Sequence, residues 1–406
     1  MPIGTQHPTE WTTHQDAATG RTIRQLTGGK ANNYPLYYFI PSITAENDAL
    51  IFHSERSGWV QLYKLDLTDG TITQLTDGHT RDSGWAIWCE PHLRGIYNHL
   101  SALNQAKREV YYFQDEEVCS THLDTLENRL VCPIPGHVSI GQTGFSPDGK
   151  HFAFIHADRK HFTQAIQDRE ATLNMHQPVS HEEWRRQVPV TISVIDTDSG
   201  NLRTVIDVPY HVHHVFFLDN EWLLVNHVEG ENGMWTVNIN GTGKRDLRPS
   251  HVGHGAVCHQ VVNAAGIFYE ANIWHEGGNG DRTREVWFGR YDRATDTFEE
   301  VQLPGVGYVH TGLDPAGKFL FVENQMGSES HALLSIHFPH QPEKYELRTL
   351  RTLQPIIRGQ RYHAHPFLGP DRRWLYYTEV VDGYSQICAL DVQDLVDLDE
   401  YWDARG

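Results

Sequence analysis

The chain has 406 residues, 39% of them hydrophobic, which is enough to bury a large core; acidic side chains outnumber basic ones 52 to 33, for a formal charge of −19. A field of that sign excludes non-specific binding to nucleic acid or to an anionic membrane, and no stretch approaches ~18 uninterrupted apolar residues, so no membrane span is expected. The excess that needs a cause is histidine, at 27 against 4 methionines.

Met1 to Pro8 shows no basic n-region and no apolar h-region, so no secretory signal is expected. The five cysteines (Cys89, Cys119, Cys132, Cys258, Cys388) show no CxxC pairing and read as free thiols in a reducing, cytoplasmic setting.

From the N-terminus, Asp16 to Thr27 reads as a lone strand ending in Leu26-Thr27. The clearest unit follows: Ala49 to Ser54, then Val60 to Leu67, an Asp69-Gly70 turn, and Ile72 to Thr76. Three strands with tight turns, preceded by a more buried one, make a four-stranded antiparallel sheet. Similar units recur at the spacing of propeller blades, near 37–77, 83–136, 137–212, 213–253, 254–305, 306–359 and 360–401. The last shows three strands, and the N-terminal strand supplies its fourth, which removes an exposed edge. The expectation is an all-β, seven-bladed β-propeller, a single domain over 1–406, closed by its N-terminal strand. A small helical insertion is expected over 160–187, either a surface excursion or a lid.

Several first strands end in related turns: Phe145 to Gly149, Asn263 to Gly266, Asp314 to Gly317 and Gly369 to Arg372. Stepping back by an equal offset from each gives Gln142, His259, His310 and His365, and the fourth blade measured to Asn220 gives His213. Equal offsets on equivalent strands mean equal depth, so a polar ring is expected at one mouth of the channel.

The densest constellation is Gln360-Arg361-Tyr362-His363-Ala364-His365-Pro366. On a strand, His363 and His365 share a face. With Gln360 and with His310 from the preceding blade, they form a donor set of imidazoles and a carboxamide oxygen suited to a borderline divalent ion. The alternative is two histidines satisfied by backbone carbonyls. No GxSxG elbow, Walker loop or HExxH helix is present, and Gly277-Gly278-Asn279-Gly280 opens no helix, so phosphate binding is not expected there.

Gln360, His363, His365 and Pro366 form a Gln-x-x-His-x-His-Pro motif that resembles the oligogalacturonate lyases, seven-bladed propeller enzymes. Val257-Cys258-His259 and Thr19 to Thr27 resemble further segments of that family. The resemblance implies a manganese ion held by His310, Gln360, His363 and His365, with His259 beside it. It also implies β-elimination on a uronate-containing oligosaccharide. One position departs: the family's catalytic arginine, two residues before a tryptophan, is matched here by Gly233, before Trp235. A glycine cannot take a proton, so the candidate bases are His259 first and His213 second, with Gln142 a candidate substrate contact. Two other readings stay open: a lyase or hydrolase for another acidic glycoside such as rhamnosyl-glucuronate, and a non-catalytic platform. The Ser54-x-Arg56-x-Gly58 turn, similar to those of the Tol-associated propellers, fits the platform. The oligomeric state is not legible in the sequence.

Overall fold

The computed structural model describes residues 1–80, 94–165, 188–226, 232–249, 253, 255–263, 266–276, 282–304, 308–313, 319–326, 330–337, 346–354 and 359–395. They form seven antiparallel sheets of four or five strands, the seven blades of a β-propeller; five run in chain order across the sheet, and the first and seventh blades each take N-terminal strands on their outer edge. Cys89, the 264–265 and 314–317 turn residues, the 277–280 glycine run and 166–187 of the expected insertion lie outside the described residues; 159–165 is helical.

The chain divides into two compact units, one of Met1–Thr76 with His259–Gly406 and the other of Asp77–Cys258, the boundary falling inside the strand Ala256–Asn263. In the first unit the seventh blade is completed as expected. Thr22–Gln25 pairs with Tyr384–Asp391 in the register Ile23↔Leu390, and Thr12–Gln15 adds a further strand outside it. The join is buried: Ile23, Leu375, Tyr377, Cys388 and Leu390 share one apolar cluster. Arg21 adds a two-pronged bond to the Asp394 carboxylate.

The alternation of apolar and polar residues on the strands explains the packing. Leu50, Phe52, Tyr63, Leu65 and Ile72 of the first blade pack with Trp374, Tyr376, Ile387 and Ala389 of the seventh. In the second unit, Phe152 stacks on Phe154 and Phe113 packs tilted against both, at ring separations of 5.5 to 6.0 Å. Cys119, Cys132, Cys258 and Cys388 are buried free thiols. Among the described residues, no helix is long and apolar enough to cross a membrane.

Candidate active site

The site in the first unit is organised by a residue that the motifs did not mark. Glu323 lies directly opposite His310 in the register of strands Tyr308–Leu313 and Phe319–Met326. It follows the apolar run Leu320-Phe321-Val322 directly and is fully buried. Each carboxylate oxygen takes two contacts. One faces His310 Nδ1 at 2.8 Å and the backbone N–H of His365 at 3.3 Å; the other faces His363 Nδ1 at 2.9 Å and His331 Nε2 at 3.0 Å.

An ionised carboxylate only accepts, so the facing ring nitrogens are N–H donors. For His310 and His363 this leaves Nε2 as the nitrogen with a lone pair, the tautomer a metal ligand requires. Burial alone would raise the Glu323 carboxyl, but the electrostatic attraction of His363 and the hydrogen bonds from His310, His331 and His363 hold it well below the usual range. Burial, with His259 and His363 adding to it, pushes His310 down to about 3, so its ring is neutral. For His331, burial is outweighed by the hydrogen bond and charge of Glu323, and its pKa rises.

Around His310 the other rings converge: His365 at 4.3 Å, His259 at 4.6 Å and His363 at 4.9 Å between centroids. Tyr38 tilts over His310 at 5.4 Å, and Tyr37 meets His365 edge-on at 5.0 Å.

The backbone beneath His363 and His365 differs from the strand expected. Gln360–Tyr362 is a 3-10 turn and the strand starts only at Phe367. Pro366 has no N–H for the ladder, and His365 has a φ of +43°, outside strand geometry. The two rings still lie nearly parallel, 5.8 Å apart at 20°. Gly312 makes this possible, since a Cβ there would lie 2.2 Å from the Pro366 carbonyl oxygen. Arg361 ties the turn to the first blade through Glu55 at 2.6 Å.

Gln360 is buried, and among the described residues its Oε1 has no hydrogen-bond partner. A buried amide oxygen without a donor costs free energy unless something fills that role. Three histidines gathered at a buried carboxylate, His310 and His363 by their rings and His365 by its backbone N–H, with such an oxygen three residues from His363 and five from His365, fit a borderline divalent cation.

His259 repeats the His310 arrangement on a smaller scale. Its Nδ1 lies 2.7 Å from Glu270, which is fully buried, and its φ is +50°. A non-glycine residue in that region is strained by roughly 1–3 kcal/mol, and such strain clusters at functional sites. No sequence motif marks Glu270, Glu323 or His331. The available signal was a lone carboxylate inside the apolar second strand of a blade, at Tyr269-Glu270-Ala271 and Val322-Glu323.

Gln142 and His213 belong to the second unit, where both are buried and adjacent: the Gln142 N–H donates to the His213 carbonyl at 3.0 Å. The His213 ring meets His211 edge-on at 4.7 Å. Gly233 lies in the strand Asn232–Asn238, and a Cβ added there would sit 2.9 Å from Val257. No arginine side chain fits on this backbone without a shift.

No family model matches the chain. It is 21% identical to the oligogalacturonide lyase of Pectobacterium atrosepticum over 425 residues, covering 98% of this chain and all of that protein. A solved oligogalacturonate lyase in complex with manganese superposes with a TM-score of 0.77 at 17% identity, covering 96% of this chain and 98% of the other. The oligogalacturonate lyase of Vibrio parahaemolyticus gives 0.76 at 16% identity, over 96% and 99%. The resemblance carried by one motif therefore extends over the whole chain, as a relationship to the oligogalacturonate lyases.

Proposed function

We propose that this chain, related over its full length to the oligogalacturonate lyases, is a metal-dependent carbon–oxygen lyase that cleaves short uronate-containing oligosaccharides, oligogalacturonate foremost, by β-elimination. The observation that carries the reading is Glu323, one buried carboxylate gathering His310, His363 and the backbone of His365. A binding platform has no need of that convergence.

His310, His363, His365 and Gln360 would hold the ion, manganese by preference. When bound, the ion supplies Lewis-acid neutralisation of the uronate carboxylate, on which enolate charge builds as the C5 proton leaves. Glu323 fixes the Nδ1–H tautomer of His310 and His363 and orients both rings. With arginine absent at Gly233, His259 is the first candidate for the base: its Nδ1–H faces Glu270, which leaves Nε2 to take the C5 proton, and Glu270 stabilises the imidazolium that forms. The C5–H electron pair forms the C4–C5 double bond and the C4 oxygen leaves, taking up a proton in turn. His213 is the second candidate, and Gln142 a substrate contact. A reducing, cytoplasmic setting suits the four buried thiols.

The test joins two measurements. Purified protein is expected to carry about one divalent ion per chain, and manganese-loaded protein should raise ultraviolet absorbance on oligogalacturonate as the conjugated acid forms. His363→Ala should lose both. Absence of any rise across a panel of galacturonate, glucuronate and rhamnosyl-glucuronate oligosaccharides would overturn the lyase reading. Unchanged metal content in His363→Ala would overturn the ligand set.

A further inference from the structure

A second constellation lies in the first unit, where the inner-strand turns of the first and seventh blades meet the N-terminal strand. A cleft of about 80 Å³ is lined by Trp11, Arg24, Asn47, Asp371, Trp374 and Tyr376, among others. It sits on the apolar cluster of Trp374 and Tyr376, against which Trp11 also packs.

Two guanidinium groups lie over the Trp374 indole. Arg373, at 5.2 Å, is bound to the Asp391 carboxylate at 2.9 Å. Arg24 is closer, at 4.1 Å, yet among the described residues its guanidinium has no hydrogen bond and no ion pair. Stacking holds this cation in place and leaves its in-plane N–H groups to a ligand. Two further polar atoms of lining residues are buried without a partner among the described residues: the Trp11 indole N–H and Asn47 Oδ1. Asn47 is itself held at a φ of +57°.

These groups specify a ligand chemistry. The Arg24 guanidinium and the Trp11 N–H are donors suited to a carboxylate. Asn47 Oδ1 and Asp371 are acceptors for hydroxyl groups, and the Asp371 charge disfavours a compact dianion such as phosphate or sulfate. We infer that this cleft is a binding site for the acid edge of a sugar acid, a carboxylate flanked by hydroxyls. It is formed apart from the histidine cluster and does not depend on the lyase reading.

The experiment uses full-length protein labelled with 5-fluorotryptophan, with the Trp11 and Trp374 resonances assigned by Trp→Phe substitution, and titrates D-galacturonate against D-galactose. Galacturonate should shift the Trp374 or Trp11 signal saturably while galactose does not. Arg24→Gln should weaken the interaction about tenfold or more, the worth of a charge-assisted hydrogen bond. Trp11→Phe, which keeps a ring and removes only the donor, should weaken it about three- to tenfold as followed at Trp374. His363→Ala should leave it unchanged. No saturable shift, an equal response to galactose, or loss in His363→Ala with retention in Arg24→Gln would each overturn the inference.

Discussion

Two histidine–glutamate pairs sit on neighbouring blades with matching chemistry and different loads. Glu323 is shared by His310, His363, His331 and the His365 backbone, whereas the ion pair at Glu270 serves His259. A carboxylate divided among several imidazoles cannot charge them all, and His310 is driven neutral by burial and by its histidine neighbours. A buried carboxylate beside an imidazole can stabilise that ring when it takes up a proton, the role proposed for Glu270 at His259. One cross-strand pair, His310–Glu323, thus holds a neutral imidazole, and the other, His259–Glu270, sets a second imidazole beside a buried carboxylate.

The sharpest way to break the comparison is to remove the two carboxylates separately. Glu323→Gln should abolish metal retention and activity together and cost about 3–5 kcal/mol of stability, because buried partners are left uncompensated. Metal analysis and urea unfolding measure both. His259→Ala should keep the metal and lower kcat by about 10²–10⁴, as expected for loss of a general base. Glu270→Gln should be milder, about 10- to 100-fold in kcat with metal content unchanged, the usual scale for an orienting partner. Equal metal loss in the Glu323 and Glu270 variants would erase the distinction between the two pairs.

Much of this arrangement is legible in the sequence, and the limits have physical causes. The blade count and the closing strand follow from turn spacing, because Asp-Gly and Pro-Asp-Gly punctuation reports strand ends directly. His310 and His365 follow from their register, and His363 and Gln360 from the segment they share with His365. Glu270 and Glu323 were not, because a cross-strand partner lies eleven or thirteen residues away and carries no local motif. The strand assigned to His363 and His365 failed for a local reason: Pro366 denies the ladder a donor, and His365 adopts a positive φ that alternation cannot reveal. Gly233 was legible as a missing side chain, while the close approach of Val257 that explains it was not.

A third buried ring supplies a baseline. His53 is fully buried, stacks on Tyr34 at 5.3 Å, and is held by the Pro35 carbonyl instead of a carboxylate. Burial pushes its pKa down to about 4. Unfolding returns it to an ordinary value near 6.5, so between those limits the unfolded chain takes up a proton that the folded chain refuses. The stability it contributes is complete above about pH 6.5 and is lost as the pH falls toward 4, for a total of about 3 kcal/mol. His53→Phe should shrink the difference in unfolding free energy between pH 7.5 and pH 4.5 by about that amount. An unchanged difference would mean that a carboxylate is not what separates this ring from His259.

The smallest change tests whether the shared carboxylate needs its neighbours at close range. Gly312→Ala places a methyl group 2.2 Å from the Pro366 carbonyl oxygen, backbone against backbone, so the segment from His363 to Pro366 must move away from the His310 strand. Overpacking of this kind costs about 1–3 kcal/mol. The movement would lengthen the His363 and His365 contacts with Glu323 while leaving the His259–Glu270 pair in place. Metal affinity should therefore fall with stability, and kcat at saturating metal should recover most of its value. If kcat stayed low at saturating metal, the segment would be setting the position of the base as well as the ligands, and the two pairs would be one coupled unit.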